Sequence, residues 1–245
     1  MQTASMPDKL GRIMSKVAKL PTERCDECAQ LKAAVGFVTL SSEEGSSSRT
    51  LCPSCYNRGY MQRAGLPELE TAEFDPITRF DAVGKEHTFY FAVHMSTGLG
   101  IRAFEWVDGG PGGYQFFVLE HPETPVREAH SRLVRKIEAG LAHRYLQSSD
   151  FPGAGASQNR LYLKGTAVNG RIEERDGTPT VIVDGCEYSW EEFGEFLSSF
   201  TGFNFRLECF DACEDPETTH DPERPNPVWW LSEEEPFDPE DPRPH

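Results

Sequence analysis

Two Cys-x-x-Cys motifs near the N-terminus constrain the fold of this chain more than any other feature. Cys25 and Cys28 form the first, Cys52 and Cys55 the second, and 23 residues separate them. A two-residue gap lets both sulfurs of a motif turn toward one ion, and two motifs complete the tetrahedral thiolate set that Zn²⁺ prefers. Two disulfides are disfavoured in a reducing compartment, and a redox site needs only one such motif at a strand–helix junction. We therefore predict a structural Zn²⁺ bound by these four cysteines.

The residues around the motifs predict a small folded module. We expect a strand over 34–40, a polar turn over 41–48, a return strand over 49–51 and a short helix that starts within 56–60. This succession resembles the treble-clef and zinc-ribbon class of small zinc modules. The resemblance covers residues 25–60, about a seventh of the chain. It implies that the four cysteines hold the module together, and the class includes both nucleic-acid binders and protein–protein adaptors.

The formal net charge of −16 is unevenly distributed along the chain. Residues 1–24 hold five Lys or Arg against two acids, which gives +3. The last 35 residues hold twelve acids against two Arg, which gives −10. Most of the negative charge therefore belongs to a tail, and the net value does not exclude a polyanionic partner.

The basic N-terminus predicts an amphipathic helix. Apolar residues recur every three or four positions, at Leu10, Ile13, Met14, Val17 and Leu20. Pro21 is expected to end the helix. We expect the apolar stripe to dock on the rest of the chain or on a second subunit, and a membrane-surface or nucleic-acid role is the alternative.

The main part of the chain predicts an α+β domain with a mainly antiparallel sheet and two helices. Its strands are expected at 86–95, 99–107, 114–120, 161–172, 180–183 and 203–209. Thr124 is expected to cap the first helix, whose apolar stripe runs to Tyr145. Ser189, with Glu192 three residues later, predicts a capping box at the second.

Four segments follow from these patterns. They are a basic amphipathic helix over 1–24, a zinc-binding module over 25–65, an α+β body over 76–211 and an acidic, Pro-rich tail over 212–245. Because the body has its own apolar residues, we expect chelation to unfold the first sixty residues or so and to leave the body folded.

The tail is expected to be disordered, since it combines eight prolines with dense negative charge. It also contains three large apolar residues, Trp229, Trp230 and Phe237. Solvation does not explain adjacent tryptophans, so these residues are expected either to dock on the body or to form a short motif that a partner binds.

The remaining cysteines and histidines carry weaker signals. Cys186 and Cys209 are expected to be buried, unreactive thiols, and Cys213 lies at the start of the tail. The five histidines between 87 and 143 have no nucleophile or metal-binding partner at a fixed offset, so surface or ordinary packed histidines are expected.

These observations favour a zinc-binding accessory protein that acts by binding another protein. A nucleic-acid-associated factor with the acidic tail as a brake is one alternative, and an enzyme with a dispersed site is another. The sequence leans away from an enzyme, because it has no nucleophile elbow, zinc-protease motif or phosphate-binding loop. A deep pocket lined by His94, Tyr90 or Glu105 would favour the enzyme. No apolar stretch approaches the roughly 18 residues of a membrane span, so we expect a soluble, cytoplasmic protein.

Overall fold

The structure of the chain, a computed structural model, describes residues 20–41, 48–69, 73–148 and 161–214. Within these ranges the fold is α+β, with antiparallel strand pairs and three α-helices. The predicted fold class is confirmed. The predicted N-terminal helix, apart from Leu20 and the four residues that follow it, lies outside the described residues, and so does the tail from residue 215.

The cysteine-bearing part consists of two short hairpins followed by a helix. Its elements are β1 (Thr22–Arg24), β2 (Leu31–Ala33), β3 (Val38–Ser41), β4 (Ser48–Leu51) and α1 (Pro53–Ala64). β1 pairs with β2, and β3 pairs with β4. The strand predicted over 34–40 is wrong in its first half. The chain bends at 34–36, where Gly36 has a left-handed φ of 68° that a strand cannot contain.

A four-stranded antiparallel sheet follows, in the order β5 (Ile77–Phe80), β6 (Glu86–Met95), β7 (Leu99–Val107) and β8 (Gly110–Glu120). The predicted bounds of β6 and β7 are confirmed. β8 begins at Gly110, earlier than the predicted 114. Two residues are enough for the turn, because Asp108 and Gly109 both have positive φ, as a tight hairpin requires.

The long helix α2 (Val126–Leu141) packs against this sheet. Pro125, not Thr124, stands at its N-cap, with an extended ψ of 129°. The helix ends at Leu141, so Tyr145 lies beyond it and the predicted end is wrong. Its buried residues are spaced three or four apart, at Val126, Ala129, Leu133, Ile137 and Leu141.

Both faces of the four-stranded sheet are covered near β6. On one face Phe89 and Val93 lie in a core shared with α2. On the other face Tyr90 and Ala92 pack against Leu20, which precedes β1, and against neighbours from the bend after β2. Successive residues of β6 thus alternate between the two faces, and the cysteine-bearing part covers the second face.

The C-terminal part of the described chain has a separate hydrophobic cluster that includes Leu146, Val183 and Phe196. Its elements are β9 (Leu146–Ser148), β10 (Leu161–Leu163), β11 (Arg171–Arg175), β12 (Thr178–Val183), β13 (Cys186–Tyr188) and α3 (Trp190–Phe196), with a 3-10 turn over Leu197–Phe200. The capping box at Ser189 is confirmed. The strand predicted over 161–172 is wrong, because β10 ends at Leu163 and pairs with β9, which the sequence did not reveal.

The last predicted strand, over 203–209, is wrong as well. Residues 203–210 form no strand and are exposed along their whole length. Phe203 donates its backbone N–H to Phe200 at 2.9 Å, which ties the start of the segment to the 3-10 turn. The apolar alternation is present in the sequence, but no described sheet edge pairs with it.

Candidate metal centre

The first cysteine motif lies in the turn between β1 and β2. Cys25 follows β1 directly, and its backbone N–H donates to Gln30 at 3.0 Å while its carbonyl accepts from Ala29 at 2.9 Å. Ala29 has a left-handed φ of 56°, which is uncommon for a residue with a side chain. This tight backbone holds Cys25 and Cys28 on the same side of the turn.

The second motif lies where β4 passes into α1. Cys52 occupies the N-cap of α1, Pro53 stands in its first turn and Cys55 follows within that turn. Proline suits this position because its fixed φ matches the helix and its missing N–H would have no helical partner. Cys52 and Cys55 are therefore presented by a rigid helix start.

The four sulfur atoms lie within 4.8 Å of one another. The Sγ atoms of Cys28 and Cys52 are 4.0 Å apart. Four sulfurs at about 2.3 Å from a central ion would be separated by about 3.8 Å. Cys25 and Cys52 are fully buried, and Cys55 is nearly so. The cluster could hold a metal ion, and its donor set fits Zn²⁺.

The thiols of the cluster have unequal acidities. Burial raises the pKa of Cys25, but N–H groups of Cys52, Cys28 and Glu27 that point at its sulfur outweigh burial and lower the pKa to about 6. Burial, reinforced by the neighbouring sulfurs, raises the pKa of Cys55 to about 12. Four packed thiols therefore resist full ionisation by themselves, and a cation among them would favour the thiolates.

Hydrogen bonds connect the two motifs independently of any ion. The Cys52 N–H donates to the Sγ of Cys25 at 3.3 Å. Thr50 donates its N–H to the carboxylate of Asp26 at 2.6 Å, and its carbonyl accepts from the Asp26 N–H at 2.9 Å. Protein contacts therefore preorganise the cluster.

One buried side chain of α1 fastens the cluster to the sheet. Asn57 donates its amide N–H to the Val93 carbonyl at 2.9 Å and accepts the Met95 N–H at 2.9 Å. Met61, one turn further along α1, lies in the core shared by the sheet and α2. The helix that carries Cys55 is thus part of the packing of the body.

A second contact joins the bend after β2 to the opposite face of β6. The Nε2 of His94 lies 2.6 Å from the Gly36 carbonyl, and its ring makes an edge contact with Tyr56. Burial lowers the pKa of His94. The neutral imidazole therefore donates its Nε2–H to Gly36, and this histidine has a packing role.

A groove lies between the cysteine-bearing part and the sheet. It has a volume of about 430 Å³ and is lined mainly by apolar side chains, including Tyr90, Phe91 and Leu69. The ion pair of Lys32 with Glu73 lies at its rim. Of the three residues that would have favoured an enzyme, Tyr90 lines the groove, whereas His94 and Glu105 do not.

The structure reveals a buried charged cluster around His87, elsewhere on the sheet. Its Nδ1 lies 2.8 Å from Glu105 and its Nε2 lies 3.3 Å from Asp81. Burial opposes the charged ring, but the hydrogen bonds to the two carboxylates raise the pKa of His87 above its ordinary value. Both ring nitrogens have partners, so the cluster holds the β5–β6 turn against β7.

The three other cysteines do not join the cluster. Cys186 and Cys209 are exposed, which corrects the expectation that both are buried. Cys186 lies in the short edge strand β13, and Cys209 lies in the segment that forms no strand. Cys213 is half-buried beside α2 and donates its thiol to Asp211 at 3.0 Å. The predicted interaction residues Trp229, Trp230 and Phe237 lie outside the described residues.

Two family models match parts of the chain. Residues 70–142 match a family described as a domain of unknown function (DUF7686), and residues 152–214 match another domain of unknown function (DUF7713). The first range contains the four-stranded sheet and α2, and the second contains β10 to α3. No curated protein and no solved structure matches the chain. The four cysteines precede both matched ranges.

Two buried polar contacts could not be predicted from the sequence. Asn57 stands in a helix whose polar residues normally face water, and His87 precedes its carboxylate partner Glu105 by 18 residues. Only the pairing of β6 with β7 brings His87 and Glu105 together. No helix in the described part of the chain is long and apolar enough to cross a membrane.

Proposed function

We propose that the chain is a zinc-binding accessory protein in which Cys25, Cys28, Cys52 and Cys55 hold one structural Zn²⁺. The observation that carries this proposal is the buried cluster of four sulfurs within 4.8 Å of one another. Catalytic zinc sites keep a position open for water, whereas four thiolates close the tetrahedral shell. The ion would therefore stabilise the fold and would not act on a substrate.

The arrangement around the cluster supports a zinc module of the treble-clef type. The first motif stands in a tight turn, a β-hairpin follows, and the second motif begins a helix. In this arrangement zinc would hold α1 and the bend at Gly36 in one orientation. These are the two elements that contact β6.

We further propose that the protein acts by binding another protein. Large apolar side chains are exposed on the described surface, among them Phe80 at 64% and Phe205 at 90%. Two basic side chains of α2 are already engaged, since Arg132 pairs with Glu120 and Glu128, and Lys136 donates to backbone carbonyls. This leaves few basic side chains on the helix to contact the phosphate backbone of a nucleic acid.

Metal analysis of the reductively purified full chain tests the zinc proposal. We expect one zinc per chain, loss of zinc in Cys52→Ser and retention in the matched control Cys186→Ser, whose exposed thiol lies outside the cluster. Zinc-free wild-type protein, or undiminished zinc in Cys52→Ser, would contradict it. Salt-sensitive retention of the wild type on an immobilised polyanion would instead support the nucleic-acid alternative.

A further inference from the structure

Residues 203–210 are an apolar strand sequence that the described fold leaves unpaired. Phe203, Phe205 and Leu207 are exposed to 70%, 90% and 68%. They alternate with the polar residues Asn204, Arg206 and Glu208. An alternating segment of this kind gains stability only by pairing with another strand and covering its apolar face.

The two ends of this segment are held while its middle is open. At the N-terminal end the Phe203 ring makes an edge contact with Phe200. At the C-terminal end Lys136 of α2 donates to the Glu214 carbonyl at 3.1 Å. Between them the backbone groups of 204–210 form no hydrogen bond with other backbone groups of the described ranges, and none of these residues has a positive φ. The segment is compatible with strand geometry, and no strand of the described ranges pairs with either of its edges.

We propose that residues 205–209 pair antiparallel with the same residues of a second copy of this chain. Antiparallel pairing about a two-fold axis is isologous, so the segment must be complementary to itself. Opposed residues share a face, which requires apolar residues to oppose apolar residues. Only registers centred on a residue of the segment meet this condition.

Charge selects one register. Centring the axis on Arg206 or on Glu208 sets like charges directly opposite each other. Centring it on Phe205 or on Cys209 sets a charged residue opposite an uncharged one, so no opposite-charge pair forms. Centring it on Leu207 sets each Arg206 opposite Glu208 of the other copy, which forms two opposite-charge pairs. In one copy, the structure pairs Arg206 with Glu208 of the same chain. The dimer exchanges this internal contact for two contacts between copies.

The same register sets apolar residues opposite each other only from 205 to 209, because Phe203 and Asn204 would lie opposite Asp211 and Phe210. Leu207 lies opposite Leu207 of the second copy, and Phe205 lies opposite Cys209. A ladder of five residues buries less than the roughly 1,200 Å² of a stable interface. The dimer is therefore weak and depends on concentration. The residues that form the dimer are separate from the four cysteines. The dimer proposal and the zinc proposal can therefore fail independently of each other.

Sedimentation velocity of the full, zinc-loaded chain over a range of concentrations tests the pairing. We expect reversible dimerisation of the wild type. Arg206→Glu and Glu208→Arg should each weaken it about tenfold, because each turns two opposite-charge pairs into like-charge pairs. The double variant Arg206→Glu/Glu208→Arg should restore it. Lys164→Glu, an exposed charge change of equal size elsewhere, should leave it unchanged.

Cross-linking tests the register itself. In a Cys209→Ser background, Leu207→Cys should form a disulfide-linked dimer, because opposed residues in an antiparallel pair lie within disulfide reach. Phe205→Cys in the same background should not, since it faces position 209 of the other copy, from which the thiol has been removed. Random collision would favour Phe205→Cys, the more exposed position.

Three outcomes would overturn the proposal. The first is a wild type that stays monomeric at every concentration. The second is a dimer whose dissociation constant is unchanged by both charge reversals. The third is equal cross-linking at positions 205 and 207. A chain that dimerises only after removal of residues 215–245 would also overturn it. That result would mean that, in the full chain, residues 203–210 bind the chain's own tail and not a second copy.

Discussion

Asn57 hydrogen-bonds to Val93 on the open edge of β6, as a neighbouring strand would. β5 pairs with β6 only from Glu86 to Phe89, so the edge beyond lacks a strand partner on that side. The Asn57 amide supplies both a donor and an acceptor there, to Val93 and Met95. One side chain of the cysteine-bearing helix thus replaces a peptide group at the edge of the sheet.

Replacing Asn57 should therefore destabilise the whole described fold. Asn57→Ala leaves the Val93 carbonyl and the Met95 N–H buried without a partner, and we expect the free energy of unfolding to fall by about 3 kcal/mol. Urea denaturation measures this difference. Gln62→Ala, on the exposed face of the same helix, should change it by no more than about 0.5 kcal/mol. Equal stabilities of the two variants would show that the Asn57 contacts contribute little.

Gly36 should tolerate no side chain. A Cβ there would lie 2.8 Å from the Cβ of Ala92, and the residue also has a φ of +68°. Gly84 is a matched control, because its φ is +82° and nothing lies within 4 Å of its Cβ position. We expect Gly84→Ala to cost about 1 kcal/mol from backbone strain alone. Gly36→Ala should cost about 2 kcal/mol more, since it also overpacks the interface. Thermal denaturation of both variants checks this. Similar losses of stability would mean that the residues around Gly36 shift to make room for the added Cβ at little cost.

The charged cluster around His87 should make stability depend on pH. Its folded pKa lies above the unfolded value of 6.5, so its stabilising contribution is fully present below that value and is lost as the pH rises through the folded pKa. Asp81 acts oppositely. Burial raises its pKa, but the N–H groups of Lys85 and Val83 and the His87 ring outweigh burial and lower the pKa below 3.8, so its contribution is lost as the pH falls through that lower value.

His87→Gln tests this dependence. At about pH 6 we expect the variant to be less stable than the wild type by about 3 kcal/mol, because two carboxylates lose a buried cation. The difference should shrink as the pH is raised from there through the folded pKa of the wild-type ring, which then loses its proton. Urea denaturation across this range measures the gap, and a gap that stays constant would mean that His87 acts by shape alone.

Zinc removal, given the proposed site, should loosen the sheet as well as the cysteine-bearing part. Asn57 and Met61 connect α1 to β6 and the main core, so unfolding of α1 exposes the edge of β6. We expect the Met95 amide to exchange hydrogen faster after chelation, whereas the Val181 amide in the separate C-terminal cluster keeps its rate. Unchanged exchange at Met95 would restore the simpler sequence-based expectation that the body folds without the module.

Patterns of local spacing were enough to predict several elements. The alternation of β6 and β7, the helical stripe of α2 and the capping box of α3 all depend on residues within one or two turns of each other. The strand predicted over 203–209 carries an equally good alternation, yet it is unpaired in the described fold. An alternating pattern shows that a segment can be a strand, but pairing requires a free edge at the right place.

The sequence alone was enough to predict that the four cysteines form one cluster, because the two-residue gap within each motif is a local property of the chain. It also determined which faces of the main strands and helices are apolar. Only the tertiary structure decided how the cysteine-bearing part relates to the body. Asn57 meets Val93, and His94 meets Gly36, across 36 and 58 residues of chain. Such contacts depend on the placement of whole elements in three dimensions, and no short-range spacing encodes that placement.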